Sequence, residues 1–148
     1  MRNPALDELE FLVGEWRVVA SNAEFLPEGG TEPWTVSIAW LDDAFLIWRG
    51  DARGVFPRSV QITGRNENDP PGTYSVLYFD GRGVSRIYAM TLRDNVWTMW
   101  RADADFHQRF VGRISADRQT ITAYWEASET GVEWRRDFDL EYTRLADR

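Results

Sequence analysis

Ten short segments of alternating apolar and polar residues, separated by turn residues at near-regular intervals, make up most of this sequence. A period of two residues is typical of a β-strand with one buried face. Strands joined by short turns usually pair with their neighbours along the chain, which predicts an antiparallel up-and-down meander. Pairing the first strand with the last would remove both exposed edges, so we expect an all-β fold with a closed ten-stranded barrel. The predicted strands are residues 15–24, 34–41, 44–50, 59–65, 73–79, 84–92, 96–101, 106–114, 120–127 and 132–144.

Only one stretch has a helix-like pattern. Residues 5–11 place Leu6, Leu9 and Phe11 on one side and precede the first strand, so we expect a short N-terminal helix. The chain has 148 residues, a length typical of one domain. We therefore interpret residues 1–148 as a single barrel domain.

The composition excludes several kinds of site. The chain has no cysteine, and all 17 of its basic residues are arginine, so disulfides, thiolate ligands and lysine Schiff bases are ruled out. Its one histidine, His107, excludes metal sites built from several histidines. The net charge is −7 and no basic stripe is present, so we expect no nucleic-acid partner.

The sequence also lacks the apolar runs that direct a chain to a membrane. No segment reaches the ~20 apolar residues of a membrane-spanning helix. The first twelve residues carry acidic side chains and lack the apolar core of a signal peptide. We therefore expect no membrane partner and a cytoplasmic location.

Several motifs resemble a known class of barrel. A short apolar lead, FLV, followed by Gly14-Glu15-Trp16 resembles the Gly-x-Trp signature of lipocalin-like, or calycin-type, barrels. The segments YFDGRGVSRIYAM, RFVGRISADRQTITAYWEAS and WRRDFDLEYTR look like a bacterial family of such barrels, similar in architecture to nitrobindins and fatty-acid-binding proteins. The resemblance spans essentially the whole chain. It implies an internal cavity, with Trp16 closing one end under the helix and an arginine stacked on it, and it implies no particular activity.

The inward faces of two predicted strands supply a candidate binding site. The two-residue period aligns Arg86 with Tyr88, and likewise Arg136 with Tyr142. A guanidinium in an apolar lumen needs a carboxylate, carbonyls, water or an anionic ligand around it. We therefore predict that the barrel binds a small hydrophobic or amphipathic molecule, which a carboxylate would suit. The predicted polar contacts are Arg86, Tyr88, Arg136 and Tyr142, and the predicted apolar wall is Met90, Trp100, Phe110 and Phe138.

The residues leave another interpretation of these arginines open. Fatty-acid-binding proteins hold a carboxylate with an Arg-x-Tyr pair on the last strand, and the matching positions here are Arg136 and Phe138. The missing hydroxyl would then have to come from Tyr88 or Tyr142. Alternatively, local bulges turn the arginines outward, or the arginines pair with carboxylates of the protein. Candidate carboxylates are Glu126, Asp137 and Asp139.

Three alternatives to a binding protein also remain open. Nitrobindins hold haem iron through one histidine inside the barrel, so His107 is the candidate haem ligand, although the alternation turns His107 outward. We predict no cofactor, with haem as the alternative. An enzyme acting on a small lipophilic substrate is less expected, because the sequence has no phosphate loop and no nucleophile elbow. Outward tryptophans and arginines would suit a homodimer surface.

Overall fold

The computed structural model describes residues 2–104 and 106–145 of the chain. In these ranges it contains one 3₁₀ helix, Pro4–Leu12, and ten β-strands, which confirms the all-β prediction. The strands are β1 (Gly14–Ser21), β2 (Thr31–Leu41), β3 (Phe45–Gly50), β4 (Ser59–Gly64), β5 (Thr73–Asp80), β6 (Ser85–Arg93), β7 (Val96–Arg101), β8 (His107–Ile114), β9 (Thr120–Ser128) and β10 (Arg135–Arg144).

The ten strands form a closed antiparallel barrel. Each strand pairs with its neighbours along the chain, and β1 also pairs with β10. The closing register sets Trp16 opposite Arg144 and Val18 opposite Tyr142. Closure pairs both sides of every strand in the described part of the sheet, so no free edge remains there for association. The predicted up-and-down barrel is therefore confirmed.

Tight turns mark the barrel end that carries the N-terminal helix. Tight turns at Asp42-Asp43 and Asp94-Asn95 join β2 to β3 and β6 to β7, with φ between 52° and 61° at all four residues. Tight hairpins need such left-handed backbone, which Asp and Asn tolerate better than most residues. Asn3 donates its backbone N–H to the carbonyl of Asp43 at 2.7 Å, which places the helix at this end. The connections 22–30 and 51–58, which we call the long connections, lie at the opposite end.

The N-terminal helix closes the barrel end beside these tight turns. A 3₁₀ helix has three residues per turn, so it directs Leu6, Leu9 and Leu12 to one side, where all three are buried. The predicted helix is confirmed, but the expectation that Phe11 shares this face is wrong because of that three-residue period. Trp16 is fully buried beneath the helix, and its indole donates to the Leu12 carbonyl at 2.9 Å. Within residues 2–104 and 106–145, no helix has the length and apolar character needed to cross a membrane.

Arg144 fastens the helix to the seam between β1 and β10. Its guanidinium carbon lies 4.3 Å from the centre of the Trp16 ring. Its Nη1 donates to the Val13 carbonyl at 3.1 Å, and its Nη2 donates to the Phe11 carbonyl. These carbonyls lie at the helix C-terminus, where backbone acceptors lack partners within the helix. The arginine expected on Trp16 is therefore present, and it comes from the strand that closes the barrel.

Replacing Arg144 by Gln should lower the free energy of unfolding by about 2 kcal/mol, because charged hydrogen bonds and the stacking on Trp16 are lost. Urea unfolding followed by tryptophan fluorescence measures this change. Arg17→Gln removes the same charge from the exposed face of β1 and should cost less than about 0.5 kcal/mol. Similar decreases in the free energy of unfolding in both variants would contradict the proposed role of Arg144 in holding the helix.

Candidate functional site

A cavity of about 380 Å³ occupies the barrel end opposite the helix and opens to solvent there. Its volume is in the range of small-molecule binding sites, roughly 300–1,000 Å³. Half of the residues that line it are aromatic. These lining residues include Trp34, Trp48, Trp97, Trp125, Phe138 and Tyr142.

The aromatic rings of the wall also pack on one another. The Trp48 and Trp97 ring centres lie 5.0 Å apart, and the centres of Tyr88 and Trp125 lie 5.4 Å apart. Tyr142 contacts Trp97 at 5.9 Å between ring centres. Such tilted and edge-on contacts are favourable geometries for aromatic pairs, so the wall is held by its own packing before any ligand binds.

Phe25 and Phe56 cover one side of the cavity mouth. Both belong to the long connections, and their ring centres lie 5.1 Å apart. The Phe56 ring contacts Trp34 at 4.9 Å and Phe138 at 5.0 Å, which ties it to β2 and β10. Phe25 remains half-exposed although it lines the cavity. This aromatic cover narrows the opening and extends the apolar wall outward.

Glu32 holds the connection that carries Phe56. Its carboxylate accepts the backbone N–H of Val55 at 2.6 Å and that of Phe56 at 2.9 Å. A Cβ on Gly54 would lie only 2.0 Å from a Glu32 oxygen, so the close approach of loop and carboxylate requires glycine at this position. The position of Phe56 over the mouth therefore depends on one carboxylate and one glycine.

Arg86 projects into the cavity mouth from β6. Its guanidinium carbon lies 5.9 Å from the Tyr78 ring centre and 5.5 Å from that of Phe106, both of which line the cavity. Among residues 2–104 and 106–145, no carboxylate forms an ion pair with it. Arg86 is half-buried, so its charge is partly removed from water without a compensating anion.

The second arginine of the lining, Arg82, is already paired. Its Nη2 lies 2.7 Å from Oδ2 of Asp80, and the Tyr78 hydroxyl donates to the same carboxylate at 2.8 Å. The Arg82 guanidinium and the Tyr78 hydroxyl hold the pKa of Asp80 well below its usual range. Arg82 and Arg86 therefore share the mouth but differ in whether a protein anion neutralises them.

Tyr88 is held by a hydrogen bond inside the lining. Its hydroxyl donates to Oε1 of Gln108 at 2.9 Å, and Nη1 of Arg101 reaches the same oxygen at 3.4 Å. Burial raises the pKa of Tyr88, and the Arg86 guanidinium, which hydrogen-bonds the Tyr88 side chain, opposes this rise. The hydroxyl therefore stays protonated near neutral pH, and its proton is already engaged by the protein.

A β-bulge in β10 decides which of its side chains reach the cavity. The pairing with β9 shifts between Arg136 and Phe138, and both Asp137 and Phe138 line the cavity. Arg136 lies outside, 3.8 Å from the Tyr124 ring centre, and pairs with Asp139 at 2.6 Å. The predicted inward orientation of Arg136 is wrong because strict alternation fails at a bulge.

Asp137 is the carboxylate that the bulge brings to the mouth. Burial raises its pKa, Arg135 opposes the rise and Glu24 adds to it. Within the described residues, Asp137 forms no hydrogen bond and no ion pair. The sequence predicts Asp137 only as a candidate partner for an arginine, because the two-residue period gives no signal of a bulge at this point.

The other predicted contacts fall into three groups. Arg86, Tyr88, Phe138 and Tyr142 line the cavity. Met90 and Phe110 are fully buried but lie behind the lining, where Phe110 packs on Trp97 at 4.5 Å between ring centres. Trp100 is 40% exposed, and its predicted inward orientation is wrong because Trp97 and Met99 take the inward positions of β7.

Packing inside the barrel selects Trp97 over Trp100. The Trp97 ring centre lies 4.5 Å from that of Phe110, 5.0 Å from that of Trp48 and 5.9 Å from that of Tyr142. Both alternating sets of the β7 segment contain a tryptophan, so the period alone does not distinguish Trp97 from Trp100.

His107 lies outside the cavity. Its ring packs against Gly131 and lies 6.5 Å from the Trp134 ring centre, whereas its neighbour Gln108 lines the cavity. Haem in this cavity would need an imidazole on the lining, and no histidine lines it among residues 2–104 and 106–145. The residues present therefore do not fit the haem alternative.

The chain was also compared with known proteins. No protein-family model matches the sequence, and no curated protein matches it. The structure is similar to the crystal structure of Rv2717c from M. tuberculosis, with a TM-score of 0.67 and 14% sequence identity over 99% of this chain and 100% of that chain. At this level of identity the similarity shows a shared barrel fold.

Replacing Glu32 by Ala should free the connection that carries Phe56, because the backbone N–H groups of Val55 and Phe56 lose their acceptor. We expect hydrogen exchange at these two amides to accelerate at least about tenfold, in line with the loss of one hydrogen bond. Mass spectrometry or NMR of exchanging amides measures this. Glu28→Ala, in the other long connection, is the control, and unchanged exchange at residues 55 and 56 in the Glu32 variant would contradict the clamp.

Proposed function

We propose that the protein binds a small amphipathic molecule in its barrel, as lipocalin-like carriers do. The apolar, flat part of the molecule would lie between the aromatic walls, and an anionic group, best a carboxylate, would lie beside Arg86. The observation that carries this proposal is the guanidinium of Arg86, which has no carboxylate partner among the described residues, on the wall of an aromatic cavity.

Desolvation explains why Arg86 favours an anion. A half-buried charge is costly unless an opposite charge or several hydrogen bonds compensate it. Tyr78 and Phe106 offer only the faces of their rings, which stabilise a cation less than a carboxylate does. A ligand carboxylate would supply the missing partner, so binding would relieve a cost that the free protein bears.

The aromatic wall supplies the second part of the affinity. Burying an apolar ring system stabilises a complex by about 25 cal/mol for each Å² of apolar area removed from water. Because the rings already pack on one another, little side-chain freedom is lost when a ligand binds. The cavity volume of about 380 Å³ favours a ligand of two or three fused rings over a long lipid.

Arg86→Gln should weaken binding of 2-naphthoate about tenfold or more, because a charge-assisted hydrogen bond to the carboxylate is lost. The same variant should bind neutral methyl 2-naphthoate almost as well as the unmodified protein does. Isothermal titration calorimetry at low ionic strength measures both affinities.

Arg82→Gln is the matched control for this experiment. It removes the same charge from the same mouth, but from an arginine that Asp80 already neutralises, so 2-naphthoate binding should change less than about threefold. Equal losses in the two variants would indicate a general effect of charge and contradict the role of Arg86. Failure of the unmodified protein to bind 2-naphthoate would refute the proposed function.

Asp137 should make anion binding depend on pH. Its pKa is raised, so lowering the pH from neutrality toward 4 protonates it and removes its repulsion of an anion. Binding of 2-naphthalenesulfonate, which stays ionised throughout, should therefore strengthen several-fold as the pH falls. Asp137→Asn should bind this probe more tightly at pH 7 and lose most of the pH dependence.

Fluorescence titrations between pH 7.5 and 4.5 measure this effect. Glu67→Gln is the control, since it removes the same charge from the exposed turn between β4 and β5, at the helix end of the barrel. Identical pH profiles for Asp137→Asn and the unmodified protein would show that Asp137 does not act on the bound anion.

A further inference from the structure

The polarity of the cavity changes along the barrel axis. Its described charged residues lie at the mouth, where Arg82 and Arg86 flank the start of β6 and Asp137 lies near the start of β10. The deep end lies toward Trp16 and Arg144, which support the helix. Among the described residues, no charged side chain lines that deep part.

Tyr142 marks the deep end of the lining. It lies two positions before Arg144 on β10 and contacts the Trp97 ring. Its side chain keeps some accessible surface, and because the residue lies far from bulk solvent, that surface faces the cavity. Within residues 2–104 and 106–145 its hydroxyl has no hydrogen-bond partner, unlike the hydroxyl of Tyr88.

The hydroxyl of Tyr142 is suited to donate to a ligand. Burial raises its pKa, so the group carries its proton at any physiological pH. The indole N–H groups of Trp48 and Trp97 nearby are buried and also have no acceptor among the described residues. Indoles donate and do not accept, so the surroundings of Tyr142 offer donors in excess of acceptors.

We propose that the deep end of the cavity is a subsite for a neutral oxygen acceptor, such as a ketone or ester carbonyl, bonded by the Tyr142 hydroxyl. This subsite rests on the proposed function and orients its ligand, with the anionic group at the mouth and the neutral oxygen innermost. A carboxylate at the deep end would have no cation beside it, whereas a carbonyl carries no charge to desolvate.

The strand directions place the two ligand-binding groups at opposite ends of the cavity. Arg86 lies at the start of β6, at the mouth, whereas Tyr142 lies near the end of β10, toward the helix. A naphthalene substituted at positions 2 and 6 likewise carries its two groups at opposite ends.

Two probes of the same shape test the subsite. In 6-acetyl-2-naphthoate a ketone oxygen lies opposite the carboxylate, and in 6-isopropenyl-2-naphthoate a methylene group replaces that oxygen. We expect the unmodified protein to bind the ketone about fivefold more tightly or better, the usual gain from one buried hydrogen bond. The carbonyl stretching band of the bound ketone should also shift to lower frequency than in a dry hydrocarbon solvent.

Tyr142→Phe removes only the hydroxyl and should reduce the ketone-to-alkene affinity ratio to about one, while the alkene affinity stays the same. Tyr124→Phe makes the same change on the outer face of β9 and should keep the ratio. Equal affinities of the unmodified protein for the ketone and the alkene would overturn the subsite. A preference for the ketone that is unchanged in Tyr142→Phe would also overturn it. If Tyr142→Phe does not fold, an unshifted carbonyl band in the unmodified protein would overturn it alone.

The outcomes also separate the subsite from the proposed function. Equal binding of both naphthoates, with a loss of both in Arg86→Gln, supports the proposed function and refutes only the subsite. Failure of both probes and of plain 2-naphthoate to bind the unmodified protein refutes both.

Discussion

The pairing of β1 with β10 is the constraint on which the rest of this structure depends. Without it the meander would have two open edges and no interior. The pairing register brings Arg144 beside Trp16, and this contact holds the helix over one end of the barrel. Arg144 serves the seam and the helix at once, because its guanidinium stacks on an indole of β1 and donates to carbonyls of Phe11 and Val13. The pairing that closes the sheet therefore also positions the residue that holds the helix over the barrel end.

The closed end also sets the size of the cavity. Leucines of the helix, Trp16, Met90 and Phe110 are fully buried and fill the half of the barrel nearest the helix. The cavity lies in the half toward the long connections, and Phe56 narrows it further. A ten-stranded barrel filled in this way offers space for a compact ring system. The buried side chains that fill the helix end of the barrel therefore also limit the size of a molecule that the cavity can hold.

The alternation of polar and apolar residues predicted the fold well, since a two-residue period and short turns are local properties that the barrel keeps. It placed Arg86, Tyr88 and Tyr142 correctly on the lining because β6 and the inner part of β10 are regular. It failed for Arg136 because an irregularity in the pairing with β9 reverses the faces there. It failed for Trp100 because each face of β7 carries a tryptophan, and only Trp97 finds ring partners inside the barrel, in Trp48, Phe110 and Tyr142. Both failures come from tertiary contacts, which a period along one strand does not contain.

The distribution of polar partners carries more functional information than the fold does. Barrels of one architecture bind unrelated molecules, so the similarity to Rv2717c leaves the ligand open. Around this cavity, some polar groups already have protein partners: Arg82 has Asp80, and Tyr88 has Gln108. Among the described residues, Arg86 at the mouth has no carboxylate partner, and the Tyr142 hydroxyl at the deep end has no hydrogen bond. Because polar groups without such partners cost free energy when buried, these two are the groups that the proposed ligand would complete.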